Sequence, residues 1–302
     1  MKKEFFSLYS KFDNLPLSVL VVEPKQEAKG IIQLVHGMCE HKLRYERFME
    51  FLAENGFICC MHDHRGHGSS VLEEEDLGYF GDRTGKAVVE DTALLTREMK
   101  KRYPALPVYL FGHSMGSLIV RCYLQEYDDE IEKLVVCGSP SKNPLCGLGL
   151  FLNGTISLFK GERHRSQMMS NIALDGDKKF KGEGKGAWLT RDKSVVEEYQ
   201  KDAKSGFTFT CNGFANLLKL MKSTYSKKKY KVKNPSLSIL FIAGSDDPVI
   251  GDEGKWISAQ NSLREIGYTQ VEGKLYPSMR HELLNEIGRE EVWNDLLSFF
   301  QN

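Results

Sequence analysis

The chain has 302 residues, of which 41% are apolar, and carries 41 basic and 41 acidic side chains. A chain of this length and apolar content can bury a sizeable core, which excludes disordered, collagen-like and coiled-coil proteins. The balanced charge argues against nucleic-acid binding, because proteins that bind nucleic acids usually carry a basic excess.

The cysteines and the first residues bear on where the protein resides. The seven cysteines are an odd number and none has C-x-x-C spacing. This pattern favours free thiols and a reducing compartment. Residues 1–5 include two lysines with no apolar stretch behind them, so we expect no secretory signal peptide. No apolar run approaches the ~20 residues that a membrane-spanning helix needs. These features predict a cytoplasmic protein.

The first half of the chain alternates between two kinds of apolar pattern. Alternating β-rich residues predict a hairpin over 5–9 and 17–22. Short continuous apolar runs then predict buried strands at 31–35, 57–61, 108–111 and 134–137. Amphipathic patterns predict helices at 45–55, 86–102 and 117–127.

This alternation stops near Ser139 and resumes only in the last quarter of the chain. There, strands are predicted at 238–243 and 271–276, and helices at 253–263 and 291–300. Regular alternation predicts an α/β fold, a mostly parallel sheet with helices on both faces. We therefore expect a core formed by residues 1–139 and 230–302, with an inserted, mainly helical cap at 140–229.

The most informative stretch is Gly112-His113-Ser114-Met115-Gly116, a G-x-S-x-G motif between a predicted strand and a predicted helix. In this context the motif places its serine in a strained turn that exposes the hydroxyl. Glycines fit where the strand and helix backbones nearly touch. The N-terminus of the helix stabilises developing negative charge. We therefore predict that Ser114 is a nucleophile.

A serine nucleophile needs a histidine base that an acidic group orients. In chains with this turn, the acid and then the histidine follow the serine. Only His164 and His281 follow Ser114. His164 lies in the irregular insertion, whereas His281 follows the last predicted strand, at the sheet edge where ligands bind. We predict His281 as the base.

The acid is expected at the end of the strand before the histidine. Asp246 and Asp247 both lie there. Pro248 restricts Asp247 to an extended conformation, which favours Asp247 and leaves Asp246 as the alternative.

Two backbone N–H groups are expected to bind the oxyanion that forms during acyl transfer. One belongs to the residue after the nucleophile, Met115, and the other to a loop after an early strand. In this chain that loop contains His36-Gly37, and the following amide belongs to Met38.

Residues 61–70 contain three histidines and an aspartate, which raises the alternative of a zinc site. A metallohydrolase run of the form H-x-H-x-D-H would require an aspartate where this chain has Gly66. With His281 already assigned, few distant histidine ligands remain. We favour a glycine-rich loop in which Asp63 and Arg65 brace neighbouring loops, and we expect no metal or other cofactor.

Five segments follow one another in order across the predicted sheet: HGMCEH at 36–41, DHRGHGSS at 63–70, GHSMG at 112–116, GSDDP at 244–248 and RHE at 280–282. Together they resemble the α/β-hydrolase superfamily and, within it, the monoacylglycerol lipase and lysophospholipase group. The resemblance implies an α/β-hydrolase fold with a cap at 140–229, and it places the acid at Asp247. The chain departs from the family at Cys39, where glycine is more common.

The predicted cap offers apolar surface. Residues 143–159 carry no charge and are rich in Leu and Phe. We expect most apolar cap residues to form a small core of their own, with some facing Ser114, an arrangement that suits an acyl chain. A basic run at 227–233 either faces water or contacts anionic lipid, and we favour water.

These observations and the resemblance predict a serine hydrolase that cleaves carboxylic esters through an acyl-enzyme. The expected substrate is a lipid ester with one acyl chain, a monoacylglycerol or a lysophospholipid. Small-peptide hydrolysis, as in an aminopeptidase, and acyl transfer are alternatives that use the same triad. A binding protein without catalysis is a third alternative, which the complete triad disfavours. We expect no nucleic-acid partner and at most transient contact of the cap with a membrane surface. The sequence does not indicate an oligomeric state.

Overall fold

The structure is a computed structural model that describes residues 1–173 and 175–302. Residue 174, within the predicted cap, lies outside the described residues. The strands of the described chain are β1 (Lys2–Tyr9), β2 (Pro16–Glu23), β3 (Gly30–Val35), β4 (Phe57–His62), β5 (Val108–His113), β6 (Lys133–Cys137), β7 (Ser238–Gly244) and β8 (Val271–Tyr276). They form one sheet in the order β1-β2-β4-β3-β5-β6-β7-β8. The hairpin β1–β2 joins the sheet antiparallel to β4, and β3 to β8 are parallel.

Helices cover both faces of this sheet. The described helices are α1 (Glu46–Glu54), α2 (Ala87–Arg102), α3 (Met115–Tyr127), α4 (Cys146–Lys160), α5 (Gln167–Ala173), α6 (Lys193–Lys201), α7 (Cys211–Thr224), α8 (Glu253–Arg264) and α9 (Arg289–Gln301). Side chains from α1 and α9 pack on one face, and those from α2, α3 and α8 pack on the other. Successive strand residues alternate between these faces, as Cys59 and Cys60 do. The predicted mostly parallel sheet with helices on both faces is confirmed.

The segment predicted as a cap lies between β6 and β7, and its described part contains α4 to α7. Its buried apolar side chains do not form a separate core, contrary to the sequence prediction. Met169, Phe209 and Phe214 belong to the main cluster on the α3 face of the sheet. The reason is that α7 packs directly against α3, so the segment shares the core of the sheet.

The basic run that leaves this segment is paired with acidic groups. Lys231 binds Glu126 at 2.9 Å, and Lys233 binds Asp129 at 2.9 Å. The run therefore acts as a connector bound to the end of α3, which favours the interpretation without lipid contact.

Two further features concern the chain as a whole. All seven cysteines are buried and have free thiols. Among the described residues, no helix is both long and apolar enough to cross a membrane.

The parallel strands bring the candidate site residues to one edge. The loops after β3, β5, β7 and β8 all leave the sheet at the carboxyl ends of their strands. These loops carry Met38, Ser114, Asp247 and His281, respectively. Residues far apart in sequence therefore meet at the edge where ligands bind in open α/β sheets.

Gly112 and Gly116 flank Ser114 where three backbones approach closely. A Cβ atom added at Gly112 would lie 2.6 Å from the Gly116 carbonyl oxygen, as the predicted strand-helix contact requires. A Cβ atom added at Gly116 would collide with the carbonyl oxygens of Val35 and His36 at the end of β3. The second glycine is therefore required by β3, a neighbour that the motif alone does not reveal.

We predict that Gly116→Ala destabilises the protein by roughly 3 kcal/mol, the upper range for overpacking, because two backbone carbonyls must move. Gly154→Ala is the matched control, since a Cβ at this exposed position in α4 meets nothing within 4 Å. It should stabilise the helix by roughly 0.5–1 kcal/mol. Denaturant unfolding measures both, and equal stability of the two variants would contradict the prediction.

Candidate active site

Ser114 occupies the turn between β5 and α3. Its backbone has φ +54° and ψ −119°, in the half of conformational space that side chains rarely adopt. Its N–H donates to the Cys137 carbonyl at 2.9 Å, and its own carbonyl accepts from the Ser117 hydroxyl at 2.5 Å. These bonds hold the strained turn in place. The side chain stays partly exposed and faces a cavity.

The loop after β3 passes directly beside this serine. A Cβ atom added at Gly37 would lie 3.0 Å from the Ser114 Cβ and 2.6 Å from Glu40 Oε1. Among the described residues, the Met38 N–H donates no hydrogen bond. Met115 is the first residue of α3, where a helix leaves N–H groups without an intrahelical acceptor. The structure thus brings the loop that carries Met38 and the first residue of α3, Met115, beside the serine.

His281 and Asp247 form a buried pair. Nδ1 of His281 lies 2.9 Å from Oδ2 of Asp247, and both residues are at most 2% exposed. The other carboxylate oxygen accepts from the Val249 N–H at 2.8 Å. Because a carboxylate can only accept, the proton lies on Nδ1 and leaves Nε2 free to act as a base.

The alternative acid, Asp246, lies elsewhere. Its side chain is 46% exposed and faces Lys179 at 3.9 Å. The structure therefore pairs His281 with Asp247 and leaves Asp246 in solvent.

A glycine makes room for this pair. Gly138 follows β6 with φ +54°, and a Cβ atom there would lie 3.1 Å from the His281 ring and 3.3 Å from Asp247 Oδ2. Two aromatic rings then flank His281: Trp188 from the predicted cap at 5.0 Å and His113 from β5 at 4.7 Å between ring centroids. Only a residue without a side chain fits at position 138.

A buried carboxylate, that of Glu40, joins the loops around the site. Its Oε1 accepts from the Gly37 N–H at 2.6 Å and from the Tyr45 hydroxyl at 2.9 Å, and it lies 3.2 Å from His113 Nδ1. His113 Nε2 in turn lies 3.2 Å from the His281 carbonyl oxygen. Glu40 thus connects the loop after β3 to the serine turn and, through His113, to the histidine loop.

The charges of Glu40 and His113 depend on each other. Burial alone would lower the pKa of His113, but the hydrogen bond and negative charge of Glu40 raise it above 6.5. Burial alone would raise the pKa of Glu40, yet His113 and Arg44 lower it. Each ring nitrogen of His113 also faces an acceptor, Glu40 Oε1 or the His281 carbonyl oxygen, so these contacts favour the protonated ring beside the Glu40 carboxylate.

Arg44 completes the network. It donates to Glu40 Oε2 at 2.8 Å and to both oxygens of Glu282 at 2.8 and 2.7 Å. Its guanidinium also lies over the Tyr199 ring, 4.7 Å from the centroid. Glu282 follows the candidate base directly, so this two-pronged ion pair fixes the loop that carries His281.

The histidines of residues 61–70 pack on one another. The rings of His36 and His64 are 4.0 Å apart, and those of His64 and His62 are 5.1 Å apart. Burial lowers the pKa of His62, His64 and His67 to about 3, so all three are neutral at physiological pH. Within the described part of the chain, no group of three ligating side chains is arranged to hold a metal ion.

Asp63 and Arg65 bind side chains of neighbouring segments, as predicted. Asp63 accepts from Lys42 Nζ at 2.6 Å, and Arg65 donates to Asp91 at 2.8 Å and to Asp13 at 2.8 Å. The loop is therefore held to the β1–β2 hairpin, to α2 and to the loop after β3.

A cavity of about 750 Å³ opens beside Ser114 and His281. On one side it is lined by side chains of α4 and α7, which are Leu148, Leu152, Leu217, Leu218 and Met221. On the other side it is lined by Glu40, Arg44, Tyr199 and Glu282. The cavity thus has an aliphatic side and a polar side, with the candidate nucleophile in its wall.

The sequence assigned no role to four residues of this site. Glu40 and Glu282 lie in the segments that resemble the family, and His113 lies in the G-x-S-x-G motif. The sequence predicted no role for any of them. Arg44 lay one residue before the helix predicted at 45–55. The available signal was the presence of charges in the segments that carry the site, because a charge that becomes buried there requires a partner.

We predict a pH-dependent contribution of His113 to stability. Folding raises its pKa, so the stabilisation is fully present below the ordinary value of 6.5 and is lost as pH rises through the higher folded pKa. The difference in unfolding free energy between the wild type and His113→Gln should therefore be largest near pH 6 and shrink at higher pH. Glu40→Gln should remove the same pH-dependent part. Parallel stability curves for the wild type and His113→Gln would contradict this.

Comparisons with known proteins agree with this architecture. The chain is 26% identical over 279 residues to the monoacylglycerol lipase of Mycolicibacterium smegmatis, covering 91% of this chain and 89% of that protein. It is 26% identical over 280 residues to human monoglyceride lipase, covering 91% and 82%. A thermostable carboxyl esterase from Bacillus coagulans, solved in complex with glycerol, superposes with a TM-score of 0.89 at 27% identity, covering 100% and 98%.

A family model described as "Serine aminopeptidase, S33" matches residues 26–288, which is most of the chain. The resemblance to the monoacylglycerol lipase group, predicted from the ordered segments, is confirmed. The chain belongs to the serine aminopeptidase (S33) family and has the α/β-hydrolase fold.

Proposed function

We propose that the protein hydrolyses a lipid ester with a single acyl chain, a monoacylglycerol or a lysophospholipid, through a Ser114–His281–Asp247 triad. The observation that carries the proposal is the cavity, which holds Ser114 and His281 in one wall between an aliphatic side and a polar side. Its volume is within the usual range for small-molecule sites. The broader class, a carboxylic-ester hydrolase, is that of the related lipases and of the carboxyl esterase.

In the proposed reaction, Ser114 Oγ attacks the ester carbonyl carbon while His281 Nε2 takes the hydroxyl proton. Asp247 holds the ring by its Nδ1–H and stabilises the imidazolium that forms. His281 then gives the proton to the leaving alcohol, and the acyl group stays on Ser114. Water, deprotonated by His281, attacks this acyl-enzyme and releases the fatty acid.

The oxyanion of each tetrahedral intermediate is assigned to the N–H groups of Met38 and Met115. Support comes from the close approach of the loop at Gly37 to Ser114, and from the position of Met115 at the start of α3. Both donors are backbone groups in a mostly apolar site, where hydrogen bonds to developing charge are strongest.

We assign residues 140–229 the role of a cap over the remaining core, residues 1–139 and 230–302. The acyl chain is proposed to lie along the aliphatic side chains of α4 and α7, and the leaving alcohol to face Arg44, Tyr199 and Glu282. A fatty acyl chain gains about 0.8 kcal/mol per buried methylene, which favours long chains over acetyl groups.

Contact of the cap with a lipid surface stays a prediction. Its support is the outer face of α4, on which Phe151, Leu158 and Phe159 are 70%, 80% and 81% exposed. Cytoplasmic location likewise stays a prediction.

Small-peptide hydrolysis is the second candidate, since the family description names a serine aminopeptidase. A charged peptide amine favours an uncompensated carboxylate near the nucleophile. Among the side chains that the structure describes, two carboxylates line the cavity, Glu40 and Glu282, and both are bound by Arg44. This pairing favours an ester over a peptide with a charged amine. Acyl transfer would share the acyl-enzyme and differ only in the acceptor.

We predict that Asp247→Asn lowers kcat by roughly 10³–10⁴-fold, because the amide favours the wrong tautomer of His281. Asp246→Asn is the matched control: the same chemical change one residue earlier, on an exposed side chain, should leave kcat within about two-fold. Steady-state kinetics on one ester measures both. Similar losses in the two variants would contradict the assignment of Asp247.

The substrate class is tested with an ester panel running from acetyl to long-chain monoacylglycerols and lysophosphatidylcholine. We expect kcat/KM to rise with chain length through the aliphatic side of the cavity, and all activity to be lost in Ser114→Ala. Higher kcat/KM for acetyl esters would contradict the lipid proposal. Weak activity on every ester that is lost in Ser114→Ala would instead favour peptide hydrolysis or acyl transfer by the same triad.

A further inference from the structure

One segment of the proposed cap is bonded directly to the loop that carries the Met38 amide. We call residues 36–41 the oxyanion loop and residues 199–207, from the end of α6 onward, the brace segment. The loop contributes Cys39 and His41 to this contact, and neither residue has a part in the proposed reaction. The contact joins elements about 160 positions apart in sequence.

Cys39 makes three of the bonds between the two segments. Its carbonyl oxygen accepts from the Gly206 N–H at 2.9 Å and from the Tyr199 hydroxyl at 3.2 Å. Its thiol donates to the Phe207 carbonyl oxygen at 2.8 Å. Burial raises the pKa of the thiol well above its ordinary value, so the donor keeps its proton.

The backbone of Cys39 is itself unusual. Its φ is +57° although it carries a side chain, a conformation that costs of order 1 kcal/mol or more and persists only where neighbours impose it. Two of the three bonds hold the Cys39 carbonyl oxygen, and the third holds its side chain. The Cys39 carbonyl lies two peptide units after the one that presents the Met38 N–H, so these bonds act on the Met38 amide through the short backbone stretch between them.

His41 makes the fourth bond. Its Nε2 lies 2.6 Å from Oδ2 of Asp202, and His41 is only 9% exposed. Asp202 is held in place by the Ser205 hydroxyl at 2.6 Å and the Lys204 N–H at 2.9 Å. The acceptor is therefore fixed within a turn of the brace segment.

We propose that Cys39 and His41 are positioning residues, through which docking of the brace segment sets the geometry of the Met38 oxyanion donor. This inference rests on the proposed function. Its consequence is that displacement of the brace segment, as substrate enters or leaves, displaces the Met38 N–H from its position. Both oxyanion donors are therefore in place only when this part of the cap is docked on the oxyanion loop. The thiol at position 39 supplies a bond that a glycine at this position would lack.

The test compares Cys39→Ala with Cys39→Ser. Both keep a Cβ atom in the same strained conformation, but only serine keeps a donor toward the Phe207 carbonyl. Asp202→Ala removes the acceptor of His41 from the other side. Lys204→Ala is the control, because this side chain lies in the same segment but bonds to Ser69, outside the oxyanion loop.

Three quantities are measured on each variant: kcat and KM for a short-chain ester, the rate of Ser114 labelling by an alkyl fluorophosphonate, and the melting temperature. The labelling rate depends on the oxyanion donors because the phosphonyl oxygen enters the hole. We expect Cys39→Ala and Asp202→Ala to lower kcat and the labelling rate together by roughly ten-fold, less than the 10²–10³-fold of losing a donor outright. KM should change little, and Cys39→Ser should recover most of the loss.

The proposal is overturned if Cys39→Ala lowers only the melting temperature, if KM alone rises, or if Cys39→Ser is as impaired as Cys39→Ala. An equal loss in Lys204→Ala would also overturn it. If the wild type is labelled but cleaves no lipid ester, the substrate proposal is refuted. The labelling rates of the variants relative to the wild type still decide the role of Cys39 and His41. A wild type that is not labelled refutes the nucleophile, and both proposals fail.

Discussion

The carboxylate of Glu40 is the point on which the geometry of the site depends. It accepts from the Gly37 N–H and from Tyr45, it lies 3.2 Å from His113 Nδ1, and Arg44 binds its second oxygen. These groups belong to the connection after β3 and to the serine turn, and His113 and Arg44 extend the contacts to the histidine loop. A single buried anion therefore sets the distances among the oxyanion loop, the serine turn and the histidine loop.

The same loop is also held from the side of the cap. Glu40 fixes the oxyanion loop to the sheet, while Cys39 and His41 bond it to the brace segment. The Met38 N–H, the proposed oxyanion donor, thus lies in a loop held by Glu40 on one side and by an element of the proposed cap on the other. Rigid sheets that carry a site on loops commonly combine a fixed part with a part that can move. Here the Met38 amide is where the two parts meet.

Much of this site could be predicted from the sequence where a local rule applies. The strained turn at Ser114 needs glycines at fixed positions, so five contiguous residues identify it. Asp247 was favoured over Asp246 by Pro248 and by the family resemblance, and the structure pairs Asp247 with His281. Strands β3 to β6 follow from short apolar runs, because strands buried on both faces are rich in apolar residues.

What could not be predicted lies in contacts between distant residues. Arg44 and Glu282 are 238 positions apart, and no spacing rule links them. Glycine at 138 is favoured by its positive φ and by the His281 and Asp247 side chains beside it, and the sequence around it does not reveal this second cause. The cap was wrongly expected to have its own core, because the sequence pattern does not show that α7 packs on α3.

The charge balance around Glu40 explains why these residues serve stability and catalysis together. The carboxylates of Glu40 and Glu282 both bind Arg44, and Glu40 also lies beside the His113 ring, so each buried carboxylate has a basic partner. Removing one member leaves an unpaired buried charge, which typically costs about 3–5 kcal/mol. The cluster must therefore be retained as a set. Because its members also hold the Gly37 N–H and the loop that carries His281, a substitution that breaks the cluster is expected to reduce stability and to displace the candidate site together.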